Sequence, residues 1–181
     1  MDHISFFCSS RNIALPGYGD IVLPLLTLLF EYGTRTIYYG GGDKGLMGLV
    51  YNKATSLGMN VVGHNLKKWA SPNLPEEFYH DNLVDRQNAL VQFGKYYIIL
   101  PGGIGTLYEL TQVMCHNDVE GRNKPVILYN HNGYFNGFLQ LLGHSIREGL
   151  TDMDRLHFHI VDSINEFRLL LHTLSSPRSK L

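Results

Sequence analysis

Two glycine-rich segments are the parts of this sequence whose residue types and spacing most clearly point to chemistry. Gly40 to Gly45 reads GGGDKG, and Pro101 to Thr106 reads PGGIGT. Each follows a short apolar run and precedes a helical pattern. Glycines at such a turn let backbone N–H groups approach an anion, and the helix that follows adds uncapped N–H groups and a positive dipole end. Together the two segments predict a phosphate-binding site.

A single glycine segment would more simply be a tight turn, because short motifs match by chance. Two segments in the same strand–loop–helix context favour a ligand. Neither has the Lys-Ser/Thr of a Walker loop, and neither fits a dinucleotide-binding frame with an acidic residue at the expected distance. The pattern therefore predicts a nucleoside 5′-monophosphate, whose phosphate would contact Gly41, Gly42, Gly102, Gly103, Gly105 and Thr106.

Arg86 and Glu109 are the charged residues expected to face this ligand, because both lie near the start of a helix that follows a strand. Arg86 has no carboxylate three or four positions away, and a cation near a helix N-terminus opposes the dipole. It could still be an ordinary surface arginine. Glu109 lies three residues after Thr106, so the pair also fits a capping box. The pattern leaves a capping role and a catalytic role for Glu109 equally open.

The elements that must position these residues alternate between β-type and helical patterns, which predicts a single doubly wound, Rossmann-like parallel sheet with helices on both faces. The apolar runs are mostly continuous, as in strands buried on both faces. The predicted strands are 4–8, 36–39, 61–63, 96–100, 126–129 and 158–161. The predicted helices are 20–32, with Asp20 as its cap and Gly33 after its end, then 46–57, 82–93, 107–116, 134–148 and a last one capped by Ser163 and Glu166. We expect one domain over residues 1–174 and a disordered tail over 175–181.

The composition of the chain limits the classes of partner that it could bind. The 181 residues carry a formal net charge of −1 and no long basic run, so a nucleic-acid partner is not expected. Charged residues make up 17% of the chain, against about 25% in average globular domains, which favours a surface partly covered in an oligomer. No signal peptide is evident and the most apolar segment, residues 21–30, is too short to span a bilayer, so a soluble cytoplasmic protein is predicted. Two histidines on one strand face, His157 and His159, are too few for a metal site.

The residues in these motifs resemble the LOG (Lonely Guy) family of cytokinin riboside 5′-monophosphate phosphoribohydrolases, many of which carry the older label lysine decarboxylase-like. The family pattern PGGxGTxxE is matched from Pro101 to Glu109, and GGGxxGLMG is matched from Gly40 to Gly48. The opening Phe7 to Ser10 is similar to the family's FCGSS with one glycine missing. A decarboxylase would need a lysine Schiff base and a pyridoxal phosphate site, and nothing around Lys44 or Lys95 suggests one.

The resemblance implies hydrolysis of the N-glycosidic bond of a purine nucleoside 5′-monophosphate, such as AMP or an N6-substituted form, without a metal or organic cofactor. It implies catalytic roles for Arg86 and Glu109, a phosphate contact for Ser9 and a homodimer or larger homo-oligomer. Met47, Lys44 and Gln87 are further candidates for base or loop contacts.

The third family pattern, MHxRK, falls on residues 83–87, where the family histidine and lysine are Val84 and Gln87. These two changes predict an altered base preference. They also leave open a second function, a nucleotide-binding sensor or carrier without turnover.

Overall fold

A seven-stranded, fully parallel sheet forms the centre of a computed structural model that describes residues 3–12, 17–69 and 77–175. The spatial order is β4-β3-β2-β1-β5-β6-β7, and every neighbouring pair is parallel. The strands are β1 (His3–Phe7), β2 (Thr36–Tyr39), β3 (Asn60–Leu66), β4 (Glu77–His80), β5 (Tyr96–Ile99), β6 (Val126–Tyr129) and β7 (Phe158–Val161).

Helices cover both faces of this sheet, which confirms the doubly wound prediction. They are α1 (Val22–Glu31), α2 (Gly45–Ser56), α3 (Leu83–Phe93), α4 (Ile104–Glu120), α5 (Asn136–Arg147), α6 (Met153–Leu156) and α7 (Ile164–Ser175). One apolar core joins the sheet to α1, α2 and α7, and a second joins it to the helices from α3 to α6. Neighbouring residues of β1 divide between the two cores, since Phe6 packs in the first and Phe7 in the second.

The boundaries differ from the prediction at several places. The sequence pattern missed β4, an edge strand in which Phe78 and Tyr79 are 53% and 42% exposed, so it lacks a continuous buried run. The short helix α6 was also missed. Helix α1 begins at Val22 without a side-chain cap, so the predicted cap by Asp20 is wrong. Ser175 ends α7 rather than starting a tail, and 176–181 lie outside the described residues.

Strand β1 lies between β2 and β5, so the connections after β1 and after β5 run to opposite sides of the sheet. In open α/β sheets a crevice for ligands forms at such a switch point, outside the carboxyl ends of the strands. The loop after β1 and the loop after β5 meet at this switch point, where the Ser9 N–H donates to the Pro101 carbonyl at 3.1 Å. Within the described ranges, no helix has the length and apolar character needed to cross a membrane.

Candidate active site

A cavity of about 400 Å³ opens at this switch point, between the loop after β1 and the start of α4. It is lined by Cys8, Ser9, Ser10, Arg11, Met47, Trp69, Leu83, Arg86, Gln87, Gly103, Ile104, Gly105, Thr106, Tyr108 and Glu109. A larger cavity of about 520 Å³ lies beside β2, β3 and the end of α3, but no carboxylate and no glycine loop lines it. The smaller cavity is therefore the candidate active site.

The structure brings Arg86 and Glu109 together in this cavity. Both are buried, at 6% and 3% exposure, and Arg86 Nη1 lies 3.6 Å from Glu109 Oε1. The guanidinium also donates from Nε to the His64 carbonyl at 2.8 Å and from Nη2 to the Gly40 carbonyl at 3.0 Å. Arg86 is therefore not a surface arginine, because the carboxyl ends of β2 and β3 hold its side chain beside the carboxylate of another helix.

Burial controls the ionisation of this pair. It raises the pKa of the Glu109 carboxyl to about 7, against the opposing effects of the Arg86 charge and of hydrogen bonds from Gln87 and Arg86. Burial likewise lowers the pKa of the Arg86 guanidinium, and the Glu109 charge opposes that change. A carboxyl group with a pKa near neutral pH can both accept and release a proton, which suits it to general acid–base chemistry.

Of the two roles that the sequence left open for Glu109, the structure does not show the capping box. Helix α4 begins at Ile104, with Gly103 at the N-cap position and no side-chain cap. Thr106 is thus the third residue of the helix and Glu109 the sixth, so the carboxylate lies one turn too far along to bind the N–H groups at the start. The glycines of the PGGIGT segment let the helix begin three residues earlier than its capping pattern suggests.

The start of α4 is open toward the cavity. No side chain caps its first N–H groups, and Gly103, Ile104, Gly105 and Thr106 all line the cavity. Thr106 is 3% exposed, and its hydroxyl makes no hydrogen bond to another described residue. Uncapped N–H groups at the positive end of a 17-residue helix are groups of the kind that bind anions.

Three predicted phosphate contacts lie away from the cavity. Gly41 and Gly42 are not part of its lining, because the first glycine segment packs against protein atoms instead of facing a ligand. A Cβ atom at Gly40 would overlap the Arg86 guanidinium, and the Gly41 carbonyl accepts from Asn65 Nδ2 at 3.1 Å. Gly102 also lies outside the lining, because it packs under the Thr106 side chain. The first segment therefore positions Arg86.

The first segment also supports the loop after β1. Gly45 adopts a φ of +60°, and a Cβ atom there would overlap the Arg11 carbonyl. The Met47 N–H donates to the Ser9 carbonyl at 3.0 Å. Ser9, Met47 and Gln87 line the cavity as predicted, whereas Lys44 is exposed and lines a separate cavity with Asn12 and Tyr18.

Sequence reasoning missed several lining residues and misplaced one. Arg11 and Trp69 line the cavity without belonging to a recognised motif. Ser10, Leu83 and Tyr108 also line it, and they lie within motif segments but were not named as candidates. The available signal for Arg11 was its position just after the first strand, at the ligand-bearing edge. Val84, expected to affect base recognition, is 61% exposed and does not line the cavity.

Comparison with known proteins identifies the family of this chain. The model of the family described as "Possible lysine decarboxylase" matches residues 47–172. The chain is 34% identical over 158 residues to the rice protein named probable cytokinin riboside 5′-monophosphate phosphoribohydrolase LOG4, covering 82% of this chain and 66% of that protein. It is 31% identical to rice LOG, of which it covers 64%. The chain thus spans slightly less than two thirds of these two relatives. A Rhodococcoides fascians enzyme of the same name is 29% identical over 81% of this chain and 76% of its own.

Solved structures share the fold at lower identity. The molybdenum cofactor binding protein of Rippkaea orientalis superposes with a TM-score of 0.68 at 18% identity, covering 97% of this chain and 98% of its own. The molybdenum cofactor carrier protein of Chlamydomonas reinhardtii gives 0.68 at 15% identity, covering 97% of this chain and all of its own. At these identities the likeness shows the fold. The family match, over most of the chain and including the PGGIGT segment, shows that this chain belongs to the LOG family, whose model bears the lysine decarboxylase description.

Proposed function

We propose that this chain hydrolyses the N-glycosidic bond of a purine nucleoside 5′-monophosphate and releases the free base and ribose 5-phosphate. The observation that carries the proposal is the buried Arg86–Glu109 pair in a cavity that is also lined by the uncapped start of α4. Those two features match the two parts of such a substrate, its reacting sugar carbon and its phosphate. The names of the relatives support cytokinin riboside monophosphates, which are N6-substituted AMP derivatives, as the substrate class.

The reaction would use few groups. Cleavage builds positive charge on the ribose ring, as in glycoside hydrolysis, and an ionised Glu109 stabilises that charge and accepts a proton from the attacking water. The Arg86 guanidinium has five N–H donors, of which its contacts to two carbonyls and Glu109 engage three. The remaining donors can stabilise negative charge on the departing base. No lysine is found among the described residues of the cavity, so a Schiff-base decarboxylation has no nucleophile there.

The test is to incubate the purified protein with AMP, with isopentenyl-adenosine monophosphate and with adenosine, and to measure free base by chromatography. Base should be released from the two monophosphates and far more slowly from adenosine, because adenosine lacks the phosphate. Equal release from adenosine would contradict the role given to α4. Tight binding of both monophosphates without release would instead support a nucleotide sensor or carrier.

The activity should depend on pH through Glu109. Because the proposed role needs the carboxylate and its pKa is raised to about 7, kcat/KM for AMP should fall as the pH drops through 7. Above pH 8 this group should no longer limit the rate. The measurement is a pH profile of kcat/KM between pH 5 and 9. A rate that stays constant down to pH 5 would mean that Glu109 is ionised throughout or is not needed as a base.

We also propose that the protein is a homodimer, supported by a stripe of exposed apolar residues along α4. Ile104, Tyr108 and Val119 are 84%, 43% and 71% exposed, and Leu83 and Val84 extend the stripe on α3. Light scattering should give twice the chain mass of 20.5 kDa. Val119→Glu should shift the protein toward monomer, whereas Leu169→Glu, at a 69% exposed position on α7, should not. A wild-type monomer at micromolar concentration would contradict the proposal.

A further inference from the structure

The described lining of the cavity carries more positive than negative charge. Within the described part of the chain, its charged lining residues are Arg11, Arg86 and Glu109. Arg86 and Glu109 face each other at 3.6 Å, so their charges largely cancel. Arg11 forms no ion pair with another described residue. The cavity therefore carries one uncompensated positive charge, and Arg11 supplies it.

Arg11 is held close to the start of α4 through the backbone. Ser9 Oγ donates to the Arg11 carbonyl at 2.9 Å and accepts from the Arg11 N–H at 3.1 Å. Ser9 is in turn bonded to the Pro101 carbonyl, just before the PGGIGT loop turns into α4. Thr106, which is 3% exposed, lines the same cavity, and its hydroxyl lacks a partner among the described residues. An unpaired cation, an unpartnered hydroxyl and the start of α4 thus line one cavity.

We propose that Arg11 is the cation that binds the 5′-phosphate, together with the Thr106 hydroxyl and the first N–H groups of α4. The nature of the ligand rests on the proposed function. A phosphate monoester carries about −1.5 to −2 charges at neutral pH, whereas a helix N-terminus contributes about half a positive charge. A full cation is needed to balance the remainder, and the guanidinium of Arg11 can bind two phosphate oxygens at once.

The experiment is titration calorimetry of the whole protein with AMP and with adenosine, using wild type, Arg11→Ala, Arg11→Lys and Lys44→Ala. Loss of a charge-assisted contact should weaken AMP binding by Arg11→Ala roughly 10- to 100-fold, with adenosine unchanged. Arg11→Lys should keep part of the affinity, since it keeps the charge and loses the planar fork. Lys44→Ala is the matched control, because Lys44 is an exposed cation that lines the neighbouring cavity. It should leave both affinities unchanged.

Three results would overturn the assignment. The first is Arg11→Ala binding AMP within about twofold of wild type, which is far less than the loss expected for removing such a contact. The others are equal losses for AMP and adenosine, or an equal loss in Lys44→Ala. A thermal melt of Arg11→Ala should match wild type because the side chain is exposed. This test of phosphate binding can succeed or fail independently of the proposed hydrolysis. If Arg11→Ala selectively weakens AMP binding while wild type releases no base, the phosphate assignment stands and the proposed hydrolysis fails.

Discussion

Replacing Glu109 with glutamine should lower kcat for AMP by about two to four orders of magnitude. The change keeps the size of the side chain and removes its charge, so the amide can neither stabilise positive charge on the ribose nor accept a proton from water. Affinity for AMP should change little, because the phosphate end of the cavity is untouched. The measurement is steady-state release of adenine, together with calorimetric binding of AMP.

Glu120→Gln is the control for this substitution. Glu120 lies on the same helix at its far end, where it pairs with His116 and Arg122 at the surface, and its replacement should leave turnover unchanged. A capping role for Glu109 would have made the glutamine variant nearly silent, since glutamine also serves in a capping box. Wild-type turnover in Glu109→Gln would therefore mean that the carboxylate is structural despite its position in the cavity.

Replacing Arg86 with alanine should abolish turnover and destabilise the fold. The change leaves Glu109 buried without its cation and removes the donors to the Gly40 and His64 carbonyls. Breaking a buried pair from one side costs about 3 to 5 kcal/mol. Arg155→Ala is a suitable comparison, because Arg155 is 58% exposed in its pair with Asp118, and such surface pairs contribute about 0 to 1 kcal/mol. Urea unfolding measures the loss of stability in both variants.

The pH dependence of the stability lost in Arg86→Ala identifies the cause of that loss. Burial already raises the pKa of Glu109 to about 7, and removing Arg86 removes a positive charge that opposes that rise. Below pH 6 the carboxyl is neutral in both proteins, so its contribution to the difference in stability is small. Above pH 7 the variant must either hold a proton or bury a bare charge, so the difference should widen, by at most about 1.4 kcal/mol per pH unit.

The double variant Arg86→Ala/Glu109→Gln completes the comparison. It should be more stable than Arg86→Ala above pH 7, because it has no buried charge to leave unpaired, yet it should be no more active. Its turnover should be little worse than that of either single variant, since residues that act as one unit are not additive. Independent, multiplying losses in turnover would contradict a joint role for the pair.

The sequence was most informative for short runs that are rich in apolar residues, because such runs favour strands of a parallel sheet. The runs 36–39, 126–129 and 158–161 were predicted at their observed bounds, and of these three β6 is the one buried at every position. Strand β4 was missed because an edge strand with exposed Phe78 and Tyr79 lacks that pattern. The ends of helices were more difficult to predict than the strands. Helix α4 shows why, because it begins after Gly103 and not after Thr106, the residue that the capping pattern indicated.

The site was predictable in its chemistry and less so in its geometry. Arg86 and Glu109 could be placed near one crevice because helices after parallel strands begin at the same edge. The spacing of Gly40 to Gly42 indicated a close approach but could not show that the approaching group is Arg86 rather than phosphate. Arg11 belongs to no repeated pattern, and its place on the cavity depends on how the loop after β1 folds against residues ninety positions away.

That long separation has a consequence during protein synthesis. The central strand β1 pairs on one side with β2 and on the other with β5, so that Ile4 lies opposite Tyr96. A nascent chain that has emerged only as far as α3 holds Arg86 but neither the second edge partner of β1 nor the helix that carries Glu109. Because non-local pairings of this kind form late, the ribosome must release roughly the first two thirds of the chain before the cavity can exist. A product truncated before β5 would expose one edge of β1 and would lack the helix that carries Glu109.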